Sequence, residues 1–168
     1  MKIYTPPNPL PDDIKSNGPV MFLAGSIEMG KAEDWQSKFA KNFEELNCSI
    51  LNPRRKDWDS TWKQSPDFEP FRTQVEWELN GIDLSDIIVV VFLGDTQSPV
   101  TMLELGTILG DENKRKKAIV CCPKTFWRYG NIAITCEKYG VTLYTDIKGV
   151  MLEARIKAIK KILTKGIK

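Results

Sequence analysis

The chain contains no histidine, and this gap removes more chemistry than any other feature of its composition. Serine–histidine and cysteine–histidine catalysis are excluded, and histidine-ligated metal sites go with them. Acid–base work falls to carboxylates, tyrosine, lysine, water or the substrate itself. An excess of one charge is also lacking: Lys+Arg at 24 against Asp+Glu at 22 leaves a formal net charge of +2, which points to no nucleic acid or other polyanionic partner. Cysteine is sparse, and Cys48, Cys121, Cys122 and Cys136 show no C-x-x-C spacing. They read as reduced, structural thiols of a cytoplasmic protein. No stretch approaches the roughly 18 consecutive apolar residues of a membrane span, and MKIYTPPNPLPDDIK at the N-terminus has no apolar run of signal-peptide length. Neither a metal nor a cofactor is expected.

A chain of 168 residues suits one domain with a sizeable core. Residues 1–19, broken by Pro6, Pro7, Pro9, Pro11 and Pro19, read as an extended lead-in to a single domain over 20–168. Apolar runs at 20–24, 49–51, 87–93, 118–122 and 141–144 read as buried strands. Helices are expected over about 32–46, 71–84, 99–110 and 149–163, with a loop and short helix over 123–140. Strands alternating with helices imply an α/β fold with a five-stranded, parallel, doubly wound sheet flanked by helices. The basic C-terminal stretch RIKAIKKILTKGIK reads as a solvated helix face covering that sheet rather than a membrane or nucleic-acid contact.

What the chain does have is concentrated between Asp86 and Gly110. There IIVVVFL ends in a polar turn, and SPVTMLELG opens a helix that carries Glu104. In open α/β sheets ligands bind at the carboxyl ends of the strands, so Glu104 is a candidate nucleophile. Spacing alone favours a plainer role, because Thr101-x-x-Glu104 matches a capping box. Asp86 starts the same strand, roughly 20 Å away, and reads as structural. Glu78 can join Glu104 only if its helix packs across the crevice. Gly25-Ser26 ends the first strand and can offer N–H groups and a hydroxyl to an oxygen-rich ligand. Arg54 and Arg55 follow the second strand at the same edge, where they could hold a carboxylate, a base carbonyl or a phosphate. Trp58 and Trp62 in the next loop could stack on a planar base or pack as a lid.

The segments FLAGSI at 22–27, NPRRKDW at 52–58, QVEWEL at 74–79, LSDIIVVVF at 84–92 and SPVTMLELG at 98–106 resemble, in this order and spacing, the nucleoside 2-deoxyribosyltransferase-like family. The resemblance implies a flavodoxin-like, Rossmann-like sheet and retaining transfer of 2-deoxyribose between nucleobases. It makes Glu104 the nucleophile and Glu78 the group that protonates the departing base, with Gln74 in support. It places Gly25, Ser26, Asn52 and Arg54 near the substrate, a deoxynucleoside or deoxynucleotide that reacts with a free nucleobase. A helix-start setting would keep the nucleophile ionised. Ser98 matches the serine with which related nucleoside-monophosphate glycosidases hold a 5′-phosphate, where the transferases carry an aspartate for the 5′-hydroxyl. Glu28 stands where those glycosidases carry an arginine, so the two markers point opposite ways. The family also implies a homo-oligomer with shared active sites, to which Asn131 is the expected contributor. The rival readings are an N-glycosidase acting on a nucleoside or its 5′-monophosphate, and a nucleotide-binding module that does no chemistry.

Overall fold

Six parallel strands make one sheet in the computed structural model, which describes residues 1–166; Ile167 and Lys168, the end of the basic stretch, lie outside the described residues. The strands are β1 (Lys2–Tyr4), β2 (Val20–Gly25), β3 (Ser49–Leu51), β4 (Ile87–Val91), β5 (Ala118–Cys121) and β6 (Leu143–Tyr144), in the order β1-β3-β2-β4-β5-β6. Five of them answer to the expected strands, and the sixth corrects the expected count. Lys2–Tyr4 pairs in parallel with β3, through Lys2 opposite Ser49 and Tyr4 opposite Leu51. Three residues are too few to show an alternating pattern, and the prolines that follow hide them. Part of the lead-in therefore belongs to the sheet edge. A 3-10 turn at Ile14–Asn17 also tucks Ile14 into the core.

Because every strand is parallel, each connection must return the chain to the same end of the sheet, and from β2 onward helices do this. They are α1 (Trp35–Lys41), α2 (Glu69–Leu84), α3 (Pro99–Gly110), the short α4 (Glu112–Arg115), α5 (Tyr129–Lys138) and α6 (Ile147–Gly166). Side chains alternate across a strand, and both faces of this sheet are apolar. Phe22, Ala24, Ile88, Val90 and Phe92 pack with α2, α3 and α5, while Met21, Leu23, Ile87, Val89 and Val91 pack with α1 and α6. That two-sided burial is why β4 is written IIVVV with no polar residue. Among the described residues no helix is long and apolar enough to cross a membrane.

Strand order reverses between β2 and β4, which makes their carboxyl ends the switch point where this architecture opens a crevice. The two ends approach so closely that only glycine fits. Gly25 has φ +151°, and a Cβ there would lie 2.3 Å from the Val91 carbonyl oxygen and 2.8 Å from the Trp35 ring. Gly25→Ala is expected to cost about 2–4 kcal/mol through this overlap. Urea unfolding should show the midpoint fall at unchanged slope, and an unchanged midpoint would contradict the account.

Candidate active site

The crevice is built from the end of β2, the loop after β4 and the clefts between the helices on one face. Ser98 sits at the N-cap of α3 in the left-handed region, φ 47°, with Pro99 at the first helical position. Its hydroxyl makes no capping bond. It lies instead in a buried triangle, 2.6 Å from Ser26 Oγ and 2.9 Å from Thr96 Oγ1, with Ser26 Oγ 2.8 Å from Thr96 Oγ1. Ser26 Oγ accepts from the Leu93 N–H at 2.9 Å, and Thr96 Oγ1 donates to the Leu93 carbonyl at 2.9 Å. Three hydroxyls thus join the two strand ends of the switch point. Thr96, two residues before Ser98 in the same polar turn, is a member of the corner that the sequence signals only by that proximity.

Glu28 completes this corner. Its Oε1 accepts from the Ser98 N–H at 2.7 Å and the Gln97 N–H at 3.1 Å, with Ser98 Oγ 3.4 Å away. Its own backbone is left-handed, as is that of Met29. The loop that carries it is held by Arg54, whose guanidinium donates to the carbonyls of Ala32 at 2.6 Å, Gly30 at 2.9 Å and Glu33 at 3.2 Å. Asn52 Oδ1 accepts the Arg54 N–H at 3.0 Å and so shapes the turn that aims this arginine. Arg54 and Asn52 thereby hold this loop in shape.

Glu104 is the sixth residue of α3, past the turn that a capping box would occupy. It is half-buried, on the margin of the stripe formed by Thr101, Leu105 and Ile108. Across from it, α2 presents Glu78. Gln74 Nε2 donates to Glu78 Oε1 at 2.7 Å and to the Pro53 carbonyl at 3.0 Å. Both partners are acceptors, which fixes the amide orientation and leaves Gln74 Oε1 buried without a partner among the described residues. Burial pushes the Glu104 carboxyl up to about 8, and the charge of Glu78 adds to the rise. Burial likewise pushes Glu78 up to about 7, against the opposing hydrogen bond from Gln74. The helix-start setting therefore does not keep Glu104 ionised in the free protein. The macrodipole fades within the first turn, whereas desolvation and a facing carboxylate act at the group itself.

The loop after β3 adds aromatic surface. Trp58 and Trp62 rings lie 5.1 Å apart, and the Arg55 guanidinium stacks on Trp62 at 4.8 Å while Asp57 grips it at 2.6 and 3.0 Å. Arg55 Nη1 and Trp58 Nε1 are buried donors with no partner among the described residues. Asn131 stands exposed on the first turn of α5, apart from these contacts. Trp127 ties the preceding loop to the start of α3 by donating to the Gln97 carbonyl at 3.2 Å.

A cavity of about 410 Å³ lies on the opposite face, between α1 and α6, among Trp35, Phe39, Leu93, Cys121, Asp146 and Met151. None of the candidate catalytic or substrate-binding residues read from the sequence lines it. The acid pair outweighs it as a centre of chemistry, because two carboxyls driven upward by a shared desolvated cleft can exchange protons near neutral pH. The four cysteines are free and buried, with Cys121 and Cys122 thiols pushed up to about 12 by burial, which leaves them inert as nucleophiles. Among the described residues no group of three or more acids or cysteines could hold a metal ion.

No curated protein matches the chain. The family model described as nucleoside 2-deoxyribosyltransferase like matches residues 18–126, a span that runs from β2 beyond α3 and includes Glu28, Glu78, Ser98 and Glu104. With well over half of its length so matched, the chain belongs to the nucleoside 2-deoxyribosyltransferase like family.

Proposed function

We propose that the protein is an enzyme that transfers 2-deoxyribose from one nucleobase to another with retention of configuration. The observation that carries this reading is the pair of half-buried carboxyls, Glu104 and Glu78, facing each other across the α2–α3 cleft. Family membership supports a nucleoside substrate.

In the first step a Glu104 carboxylate oxygen bonds to the anomeric carbon as the glycosidic C–N bond breaks. The bonding pair leaves with the base, and Glu78 supplies the proton that neutralises it. In the second step a nitrogen of the incoming base attacks the anomeric carbon from the vacated face, Glu78 takes its proton, and the glycosyl ester opens to return the Glu104 carboxylate. Two inversions give net retention. The chemistry needs one proton on the pair. Its reactive arrangement has the proton on Glu78, and a bound base that accepts from Glu78 favours that arrangement. The free Oε1 of Gln74 supports the same reading by offering an acceptor beside Glu78 for an N–H of the base. Trp58 supplies a stacking face. A second copy of the chain completes the site through the exposed Asn131.

The test is incubation with a 2′-deoxynucleoside, with and without a second free base. A new nucleoside that forms only when that base is present is the expected result. Base release at equal rates in both arms would establish hydrolysis instead. Absence of both release and a deoxyribosyl mass adduct would remove the enzymatic reading altogether.

A further inference from the structure

We propose that the outer face of α6 is a self-association surface, on which two copies of the chain pack antiparallel about a two-fold axis. The helix is apolar on two opposite sides. One side, with Val150, Ala154 and Ala158, is fully buried against the sheet. The other carries Leu152, Ile156, Ile159 and Leu163, which are 63%, 38%, 37% and 61% exposed. These four follow one another at intervals of 4, 3 and 4 residues. At about 100° per residue they share an arc of about 60°, turned away from the sheet. Covering the sheet explains the first stripe and leaves the second without a role. Single apolar side chains are ordinary on a surface, but an unbroken seam of this spacing is what a facing helix buries by knobs-into-holes packing.

The charges beside the seam select the occupant. Glu153 and Lys160 stand on one flank, Lys148 and Arg155 on the other. Let two copies of the helix run antiparallel, with Leu152 of each facing Leu163 of the other and Ile156 facing Ile159. Glu153 of each copy then lies beside Lys160 of the other, and the two-fold axis makes this pair twice. Both groups are available for it. Glu153 meets Lys157 of its own helix only at 4.0 Å, and the Lys160 ammonium has no ion pair among the described residues. Arg155 is engaged within its own chain by the Asn42 carbonyl and Glu45, so the second flank adds no repulsion. A parallel pair would instead set Arg155 against Lys160 for every Lys148 it placed beside Glu153. An anionic lipid surface would repel Glu153, the acid that a second copy pairs.

The sheet separates this face from the acid pair. α6 covers one side of the sheet, and α2, α3 and α5 cover the other. The contact is therefore distinct from the cleft of Glu78 and Glu104 and from Asn131, and it stands whether or not the transferase reading does. A single helix pair falls at the low end of interface sizes, below roughly 1,200 Å², so the association is weak, with a Kd on the order of 10–100 µM.

Sedimentation equilibrium of the full chain from about 1 to about 500 µM tests this, and the particle mass is expected to double across that range. Leu152→Glu combined with Leu163→Glu, which sets like charges face to face at two exposed positions, should weaken the doubling at least about 100-fold at an unchanged melting temperature. Lys160→Glu alone should weaken it about tenfold, and adding Glu153→Lys should restore it, because the exchanged pair is again complementary. These two surface substitutions keep the test decisive should the leucine variant fold poorly. Absence of doubling overturns the proposal, as does doubling that survives both leucine substitutions in a folded variant. Strengthening by Lys160→Glu would show a parallel pair, and failure of the exchanged charges to restore association would remove the antiparallel register; either result overturns the assignment. Cosedimentation of the unmodified protein with phosphatidylcholine–phosphatidylserine vesicles, lost in the leucine variant, would make the face a lipid contact and overturn it as well.

Discussion

Glu104→Gln is expected to lower kcat/KM for base exchange by roughly four orders of magnitude or more while leaving the fold intact. The amide has the shape of the acid but cannot form the glycosyl ester, so the two-step route closes and only positioning by the remaining cleft is left. The fold should not suffer. Burial drives the Glu104 carboxyl up to about 8 because its charged form is poorly solvated and faces Glu78, and a neutral amide escapes both effects. Mass spectrometry after a deoxynucleoside soak should show a deoxyribosyl adduct on the unmodified protein and none on the variant. Activity within tenfold of the unmodified protein, at an equal melting temperature, would remove Glu104 from the chemistry.

The second large effect is on stability, and its direction is opposite to that of most acidic groups. Glu104 and Glu78 have folded-state values of about 8 and about 7, both above the ordinary 4.5. The folded protein thus holds protons that the unfolded chain releases between pH 4.5 and 8. The stabilisation is complete below 4.5 and declines as pH rises through 7 and 8. Its loss should lower the melting temperature by roughly 10 °C between pH 5 and pH 9. Scanning calorimetry of the Glu78→Gln, Glu104→Gln double variant isolates the effect, because every other titrating group is common to both proteins. The variant's profile should be nearly flat over the interval in which the unmodified protein declines. A parallel decline in both would show that the pair is solvated and not strained. The same two carboxyls should supply both limbs of a bell-shaped pH profile for kcat/KM.

Much of the architecture was legible because the physics that made it is local. The unbroken apolar strands at Val20, Ile87 and Ala118 can only be buried on both faces, and the periodic helices between them can only return the chain in parallel. Lys2–Tyr4 escaped notice for the opposite reason: it is held by pairing with Ser49–Leu51, far along the chain, and carries no pattern of its own. The acid pair was readable through the matching motifs, whereas its ionisation was not. Spacing places Glu104 near a helix start but says nothing of Glu78 opposite or of the water the cleft excludes. Ser98 makes the same point. Its hydroxyl turns inward to Ser26 and Thr96, and the carboxylate at that corner comes from Glu28, seventy residues earlier. Arg54, read as a possible ligand of the substrate, gives three of its five side-chain donors to loop carbonyls.

The uniform chemistry of β4 bears on how such a chain can drift through insertion and deletion. A residue lost within IIVVV would exchange the inward sides of the strand, and because both sides are apolar and β-branched the core would lose little. The damage would fall elsewhere. Ser26 is tied to this strand by its N–H on the Val91 carbonyl at 2.9 Å and by its hydroxyl on the Leu93 N–H, and both ties are counted from the strand's end. A deletion there would leave a folded protein whose corner at Thr96, Ser98 and Glu28 no longer closes. The length of this strand thus matters to the closing of that corner more than to the packing of the core.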